Sequence, residues 1–338
     1  MISIFTKHLR FFPGELKYLI CLLQQDAGAK VSFCNQNLQI DENQLMVLLQ
    51  KHGLLPVLYD GIKSHREDFS ENFLTQCQRV MRRQTRRSMA MVREVVMLSE
   101  ALKKQDIPCL FFKGPVLSQL LYQAPLVKQS MDIDLLVPLS HIEKAHQMIV
   151  SQGYRRTIPV IDLTRRQQQA NYHLSHHYTY QKNENAPVFL EIHWHLINPP
   201  ELLPLAFDQL YARHQKVVLA NQTIKTLSYA DYLLYLAVHG SKHRWYSLRW
   251  LKDFASLLTV LPAEEEKRAI QQGVKMRLDK PLIQGFVVAS LLFQTPIPEK
   301  ISERYQREKH MEAFVRKAIG AVASTGYQPS LSKLPKLR

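Results

Sequence analysis

The chain has 338 residues, 46% of them hydrophobic and 22% charged, a globular balance that excludes wholesale disorder, collagen and coiled-coil classes. Its 11 glycines and 17 prolines argue against a turn-rich all-β protein, and the abundance of Leu, Gln, Lys and Arg points to helix. With 44 Lys+Arg against 29 Asp+Glu the net charge is +15, a surface that attracts polyanions: nucleic acid, nucleotides or an anionic membrane surface.

The cysteines Cys21, Cys34, Cys77 and Cys109 lie far apart with no C-x-x-C pair. That spacing excludes a disulfide scaffold or a cysteine zinc site and fits a reducing compartment. Residues 1–13 contain basic side chains but no apolar run followed by a small-residue cleavage site, so no signal peptide is expected. The longest apolar stretches, around 18–23 and 286–293, fall far short of the roughly 20 residues a membrane-spanning helix requires. The expectation is a soluble, cytoplasmic protein with no membrane partner.

Taken in chain order, apolar residues at three- and four-residue spacing predict helices over 15–25, 42–51 and about 70–105, with His52-Gly53 and Pro56 punctuating the second boundary. The long third helix carries Arg79, Arg82, Arg83, Arg86, Arg87 and Arg93, most of them on one face. Either this is a solvated face or, through Arg79, Arg82, Arg83 and Arg86, a track for nucleic acid. Like-charge repulsion along it is relieved by a polyanion.

At Pro108 the pattern changes. A short apolar strand over 109–112 ends in Lys113-Gly114-Pro115, and a helix follows to about Tyr122, with proline in its first turn. The strand 132–137, a helix over 140–152 and further strands at 177–181 and 188–194 complete an α/β or α+β segment over 106–198. Beyond Pro199-Pro200 come a small hairpin around Asn221-Gln222 and a helix from Ser228, whose pairing with Asp231 resembles a capping box. Helices over 245–260, 264–273 and 281–293 follow. The organisation read from this is a helical region 1–105, an α/β core 106–198, a hairpin plus helical domain 199–327, and a frayed basic tail 328–338.

The chemistry concentrates in two strands. Period-two alternation puts Asp132 and Asp134 on one face of their strand and Ile133, Leu135 and Val137 on the other. Two such carboxylates suit a hard divalent cation. The same alternation puts Glu191 and His193 on one face of the 188–194 strand. If the two strands are neighbours, Glu191 becomes a third acid beside the pair, the set that activates an attacking hydroxyl and stabilises leaving pyrophosphate. Lys113 and Gly114, at a strand end leading into a helix, offer a cation and backbone N–H groups to phosphate. Each piece alone has a plain structural explanation: a strand end meeting solvent, or a turn that needs glycine. Their order is what carries the reading.

In that order, Leu110-Phe-Phe-Lys-Gly-Pro-Val-Leu, Lys128-x-x-x-Asp132-Ile-Asp134-Leu-Leu-Val, Gly153-Tyr154 and Glu191-Ile-His193-Trp194 resemble a bacterial uncharacterised nucleotidyltransferase-like family of the DNA-polymerase-beta nucleotidyltransferase superfamily. The lead-in His52-Gly-Leu-Leu-Pro56-Val-Leu-Tyr59 and the run His239-Gly-Ser-Lys-His243-x-Trp245-x-x-Leu248-x-x-Leu251-x-Asp253 are similar as well, so the resemblance spans roughly 40–260. It implies an α+β fold with a small mixed sheet flanked by helical regions. Asp132, Asp134 and Glu191 become the catalytic, metal-binding acids for Mg2+ or Mn2+, and Gly114 the turn near the phosphates. Lys128, where the family often has arginine, and His193 join Lys113 as nucleotide-side residues. The superfamily's Gly-Ser turn is Gly114-Pro115 here, so its serine is missing.

His239 and His243, four apart on a helix, share a face. With Asp253 they line the cleft opposite the acids and touch the nucleotide, or they form a polar packing network around Trp245 and Trp250, or they bind zinc. His173, His176 and His177 receive no role. The leading functional expectation is transfer of an NMP group from an NTP, ATP among them, to an acceptor hydroxyl on RNA such as tRNA or on a protein side chain. The alternatives are a non-catalytic nucleotide- or nucleic-acid-binding regulator on a degenerate fold, and a basic helical adaptor whose central domain is scaffold.

Overall fold

The apolar stripes of the first hundred residues fold as helices, and the punctuation between them sets their ends. The computed structural model describes residues 12–26, 40–183 and 187–324. Helices α1 (Gly14–Asp26), α2 (Glu42–His52), α3 (Leu55–Ser64) and α4 (Glu71–Lys104) come first. Asp41 starts α2 by accepting the N–H groups of Asn43 and Gln44, and Gly53, at φ 62°, closes it. Sequence reading misses α3, because Pro56 serves as its first turn as well as the break after α2. Buried Phe73, Cys77, Gln84, Ser88, Met91, Val95, Leu98 and Leu102 form one stripe of α4, which leaves the arginines off the core side.

Next follow β1 (Leu110–Phe111), α5 (Gly114–Tyr122), β2 (Asp132–Leu136), α6 (Ile142–Ser151), β3 (Arg155–Ile158), α7 (Arg165–Leu174), β4 (His177–Lys182) and β5 (Val188–His193). The five strands form one sheet in the order β1-β2-β5-β4-β3. Strands β2 and β5 run parallel, and the other neighbours are antiparallel. Sequence reading misses β3 and α7. The edge strand β3 buries none of its residues, and neither does α7, so neither leaves an apolar period to read. A capping box of Thr164 and Gln167 is what starts α7.

The rest of the described residues form α8 (Phe207–Ala212), the hairpin β6 (Gln215–Leu219) and β7 (Gln222–Thr226), then α9 (Tyr229–Lys242), α10 (Leu248–Val260), α11 (Ala263–Lys275), α12 (Asp279–Phe293), α13 (Glu299–Arg307) and α14 (Met311–Ala323). The hairpin turns on Ala220 and Asn221, both at positive φ, as a tight two-residue turn requires. Ser228 caps α9 by accepting the N–H of Asp231, whose carboxylate is gripped by Arg213 at 2.8 and 2.7 Å. Every residue from Leu282 to Phe293 is buried, so α12 is the central helix of this region. Gln24 of α1 donates to the Leu292 carbonyl at 2.7 Å, which brings the first and last helical regions together.

The architecture is therefore α+β, a small mixed sheet with helices before and after it. Among the described residues no helix is long and apolar enough to cross a membrane. Cys34 and the basic tail 328–338 lie outside the described residues.

Candidate functional site

The site is built on the parallel pair β2 and β5. Their register sets Asp132 beside Phe189, Asp134 beside Glu191 and Leu136 beside His193. Register partners on parallel strands share a face, so Asp132, Asp134, Glu191 and His193 project from one side of the sheet. His193 Nε2 sits between the two central acids, 3.0 Å from Asp134 Oδ1 and 3.2 Å from Glu191 Oε2. From the other side Lys113, the residue before α5, donates its ammonium to Asp134 Oδ1 at 2.5 Å. The second oxygen of Asp134, Oδ2, is buried with no hydrogen-bond partner among the described residues.

These contacts fix the charges. Burial alone would raise the Asp134 carboxyl, but the Lys113 charge and the His193 hydrogen bond hold it well below the usual carboxylate range. Glu191 is lowered too: burial is the largest single influence and raises it, but the His193 hydrogen bond together with the His193 and His177 charges outweighs burial and the Asp134 charge. His193 in turn is raised, because its two carboxylate bonds outweigh the burial that disfavours its charge. Asp132 behaves oppositely. Burial, then the neighbouring Asp134 charge, pushes it up to about 6. It stands outside the tight cluster of Asp134, Glu191 and His193, whose ligand atoms lie within 4.8 Å of one another.

Gly114 lies at φ +57°, and a Cβ there would meet the Asp132 carbonyl and Ser130 Oγ, each at 3.4 Å. The turn thus presses its backbone against the start of β2, an approach that glycine permits. Ser130 Oγ donates to the Asp132 carbonyl at 2.9 Å and reaches its Oδ1 at 3.4 Å. A serine therefore stands beside the glycine turn after all, contributed by the loop before β2. Sequence reading searched for it only at the turn. Above this floor is a cavity of about 220 Å³. Its walls include Lys113, Asp132, Tyr235, His239, Arg249 and Trp250.

A model of the uncharacterised nucleotidyltransferase family matches residues 39–294. The chain belongs to that family. The match runs from the residue before Ile40 to the end of α12, so it takes in the acids, the glycine turn and the helices behind them. Membership supports nucleotidyl transfer as the general function and a nucleotide as the substrate. Among solved structures, an antigenic nucleotidyltransferase-like protein from Paracoccidioides brasiliensis is similar at 15% identity and a TM-score of 0.37, over 63% of this chain and 96% of that one. No curated protein matches the chain.

The remaining candidate residues divide between cavity and framework. Lys128 ion-pairs with Asp253, which also accepts from the Tyr122 hydroxyl at 3.2 Å, so both expected polar groups are engaged with each other. Burial lowers the Lys128 ammonium despite that partner. His239 lines the cavity, whereas His243 packs on His239 and Trp250, with ring centroids at 4.8 and 5.2 Å. Burial pulls His239 well below its ordinary value and His243 to about 4, so both rings are neutral near pH 7.

Three residues that sequence reading passed over join the site. Arg249 donates to the Gln129 carbonyl at 3.1 Å, keeps a buried Nε without a partner among the described residues, and faces the cavity. Its place within the family-like run 239–253 was the available signal. His176 and His177 gather with His193, their ligand atoms also within 4.8 Å, and His177 Nε2 lies 3.6 Å from Glu191 Oε1. The His176-His177 doublet at the start of β4, which pairs with β5, was the clue. Arg79, Arg82, Arg83, Arg86 and Arg87 line a separate groove of about 900 Å³ along α4.

Proposed function

We propose that the chain transfers a nucleoside monophosphate from an NTP to an acceptor hydroxyl, on RNA or on a protein side chain, with release of pyrophosphate. The observation that carries this reading is the register pair Asp134–Glu191, with Asp132 two positions earlier on the same face. Its donor set fits Mg2+ or Mn2+: carboxylate oxygens on one sheet face, one of them, Asp134 Oδ2, buried and unpartnered. Asp132, Asp134 and Glu191 would hold the ion. When bound, it stabilises charge on the transferring phosphoryl group and on the leaving pyrophosphate.

The chain's own groups have definite tasks in this scheme. The acceptor oxygen forms a bond to the α-phosphorus as the bond from that phosphorus to the pyrophosphate oxygen breaks, and the acceptor proton passes to the Glu191 carboxylate. Lys113, at the cavity edge, offers its ammonium to the triphosphate, and the Gly114 turn brings backbone close to it. Arg249, also lining the cavity, adds a guanidinium fork, and Lys128, held on Asp253, adds charge. His193 holds Asp134 and Glu191 apart and oriented, while His239, with His243 behind it, lines the nucleotide side.

A second reading, a non-catalytic nucleotide-binding protein, is favoured by one observation. Lys113 and His193 already compensate Asp134, so the acids do not require a cation for stability. Incubation with each α-labelled NTP, with Mg2+ or Mn2+, and with cellular RNA, a protein lysate or the protein alone decides between them. Label on one class of macromolecule that disappears in Asp132→Asn and in Glu191→Gln supports transfer. NTP binding by thermal shift with no label anywhere supports the second reading.

A further inference from the structure

The arginine groove and the acid cavity are two openings that meet at one residue. Met131, immediately before Asp132 and 51% exposed, lines both. The far wall of the groove is the start of β5, Val188 and Phe189, and Phe189 is the register partner of Asp132. Arg87 fastens the helix to this junction by donating to the Met131 carbonyl at 3.0 Å. The groove therefore leads along α4 to the end of β2 where Asp132 stands.

Its chemistry selects a phosphodiester strand. Arg79, Arg82, Arg83 and Arg86 are exposed, and none makes an ion pair with a carboxylate among the described residues. From Arg79 to Arg87 the helix rises about 12 Å, so the guanidinium groups form a short ladder rather than a point site. Lining the same groove, exposed Met131 and half-buried Phe189 offer an apolar and aromatic surface. Cations that follow a backbone beside an aromatic face are the elements of single-strand binding, where bases stack and phosphates pair with arginine. An acidic peptide would use the ladder but has less use for the Phe189 face.

We infer that the α4 groove binds a single-stranded nucleic acid and delivers its terminal hydroxyl past Met131 to the acids, which makes that strand the acceptor. The inference deepens the transferase reading by naming its acceptor, but strand binding is measurable without transfer.

The test uses the full chain carrying Asp132→Asn, without NTP, and fluorescence anisotropy with labelled RNA and DNA single strands of about ten nucleotides. Binding is expected to weaken with salt, and Arg82→Ala/Arg86→Ala is expected to reduce the log–log salt slope by about 1.4 and affinity at least about tenfold. Phe189→Ala is expected to weaken binding with no change in that slope. The arginines are exposed, so melting temperature serves as the check that these variants stay folded. Preference for RNA or DNA identifies the strand. Binding that ignores the arginine substitutions, or that an acidic peptide displaces as well as it displaces another strand, overturns the proposal. Strand binding intact with no label transfer in the wild type leaves the groove standing and removes the transferase reading.

Discussion

Lys128, on the loop before β2, and Asp253, in the middle of α10, form a buried ion pair across 125 positions of sequence. Through it the loop carrying Ser130 and Asp132 is fixed to the C-terminal helices. A buried pair costs desolvation and repays it only while both partners remain, so removing one leaves an isolated charge. Lys128→Met and Asp253→Leu are each expected to cost on the order of 3–5 kcal/mol in urea unfolding, and the double variant to regain most of that. Additive losses in the double variant would show that the pair is not coupled.

The acids of β2 differ in what they contribute to stability. Asp134 compensates Lys113 and His193, and Asp134→Asn in metal-free buffer is expected to destabilise by about 3 kcal/mol. Asp132 is held up to about 6 by burial and by Asp134, so the folded state binds its proton more tightly than the unfolded chain. Its ionisation therefore costs stability above that pH. Asp132→Asn is expected to raise the melting temperature at pH 8 and to match the wild type below about pH 4. Equal effects of the two substitutions at pH 8 would contradict this division.

His52 supplies a pH dependence remote from the acids. It is buried at 1% exposure and its Nδ1 accepts the Leu248 N–H at 3.2 Å, which joins α2 to α10. Burial, then the charges of Lys51 and Arg249, lower it to about 4 from 6.5. Between those values the unfolded chain binds the proton and the folded one does not, so stability declines as pH falls through this window. His52→Gln, which keeps an acceptor without the titration, is expected to flatten the decline between about pH 6.5 and 4. Parallel stability curves would exclude His52 as a contributor.

Gly240 has a packing role. It lies under the buried ring of Trp245, and a Cβ there would collide with three ring atoms, while the indole N–H donates to Gln284 at 3.0 Å. Gly240→Ala is expected to lower stability by about 1–3 kcal/mol through overpacking. Because His239 and Trp250 adjoin this packing, NTP binding should weaken along with it. A neutral substitution, read by thermal unfolding, would mean the ring relaxes without cost.

What could be read along the chain was what repeats along the chain. The stripe of α4, the strands around Asp132 and Glu191, the Ser228 cap and the α+β class all follow from local periodicity and turn chemistry, which each segment carries in itself. Among the elements that escaped, β3 and α7 bury no residue and so have no apolar period to show, whereas α3 buries Leu55, Leu58 and Ile62 and was hidden because the proline of its first turn reads as a break. That Asp132, Asp134, Glu191 and His193 share faces on their strands was likewise local. Whether those faces coincide depends on β2 and β5 lying side by side in one register, a pairing across more than fifty residues that only the packed sheet settles. The same holds for the partners of the cations: nothing near Lys113 or Lys128 in sequence announces Asp134 or Asp253. Residue types and spacing determined which side chains were available for chemistry, and tertiary packing decided which of them meet.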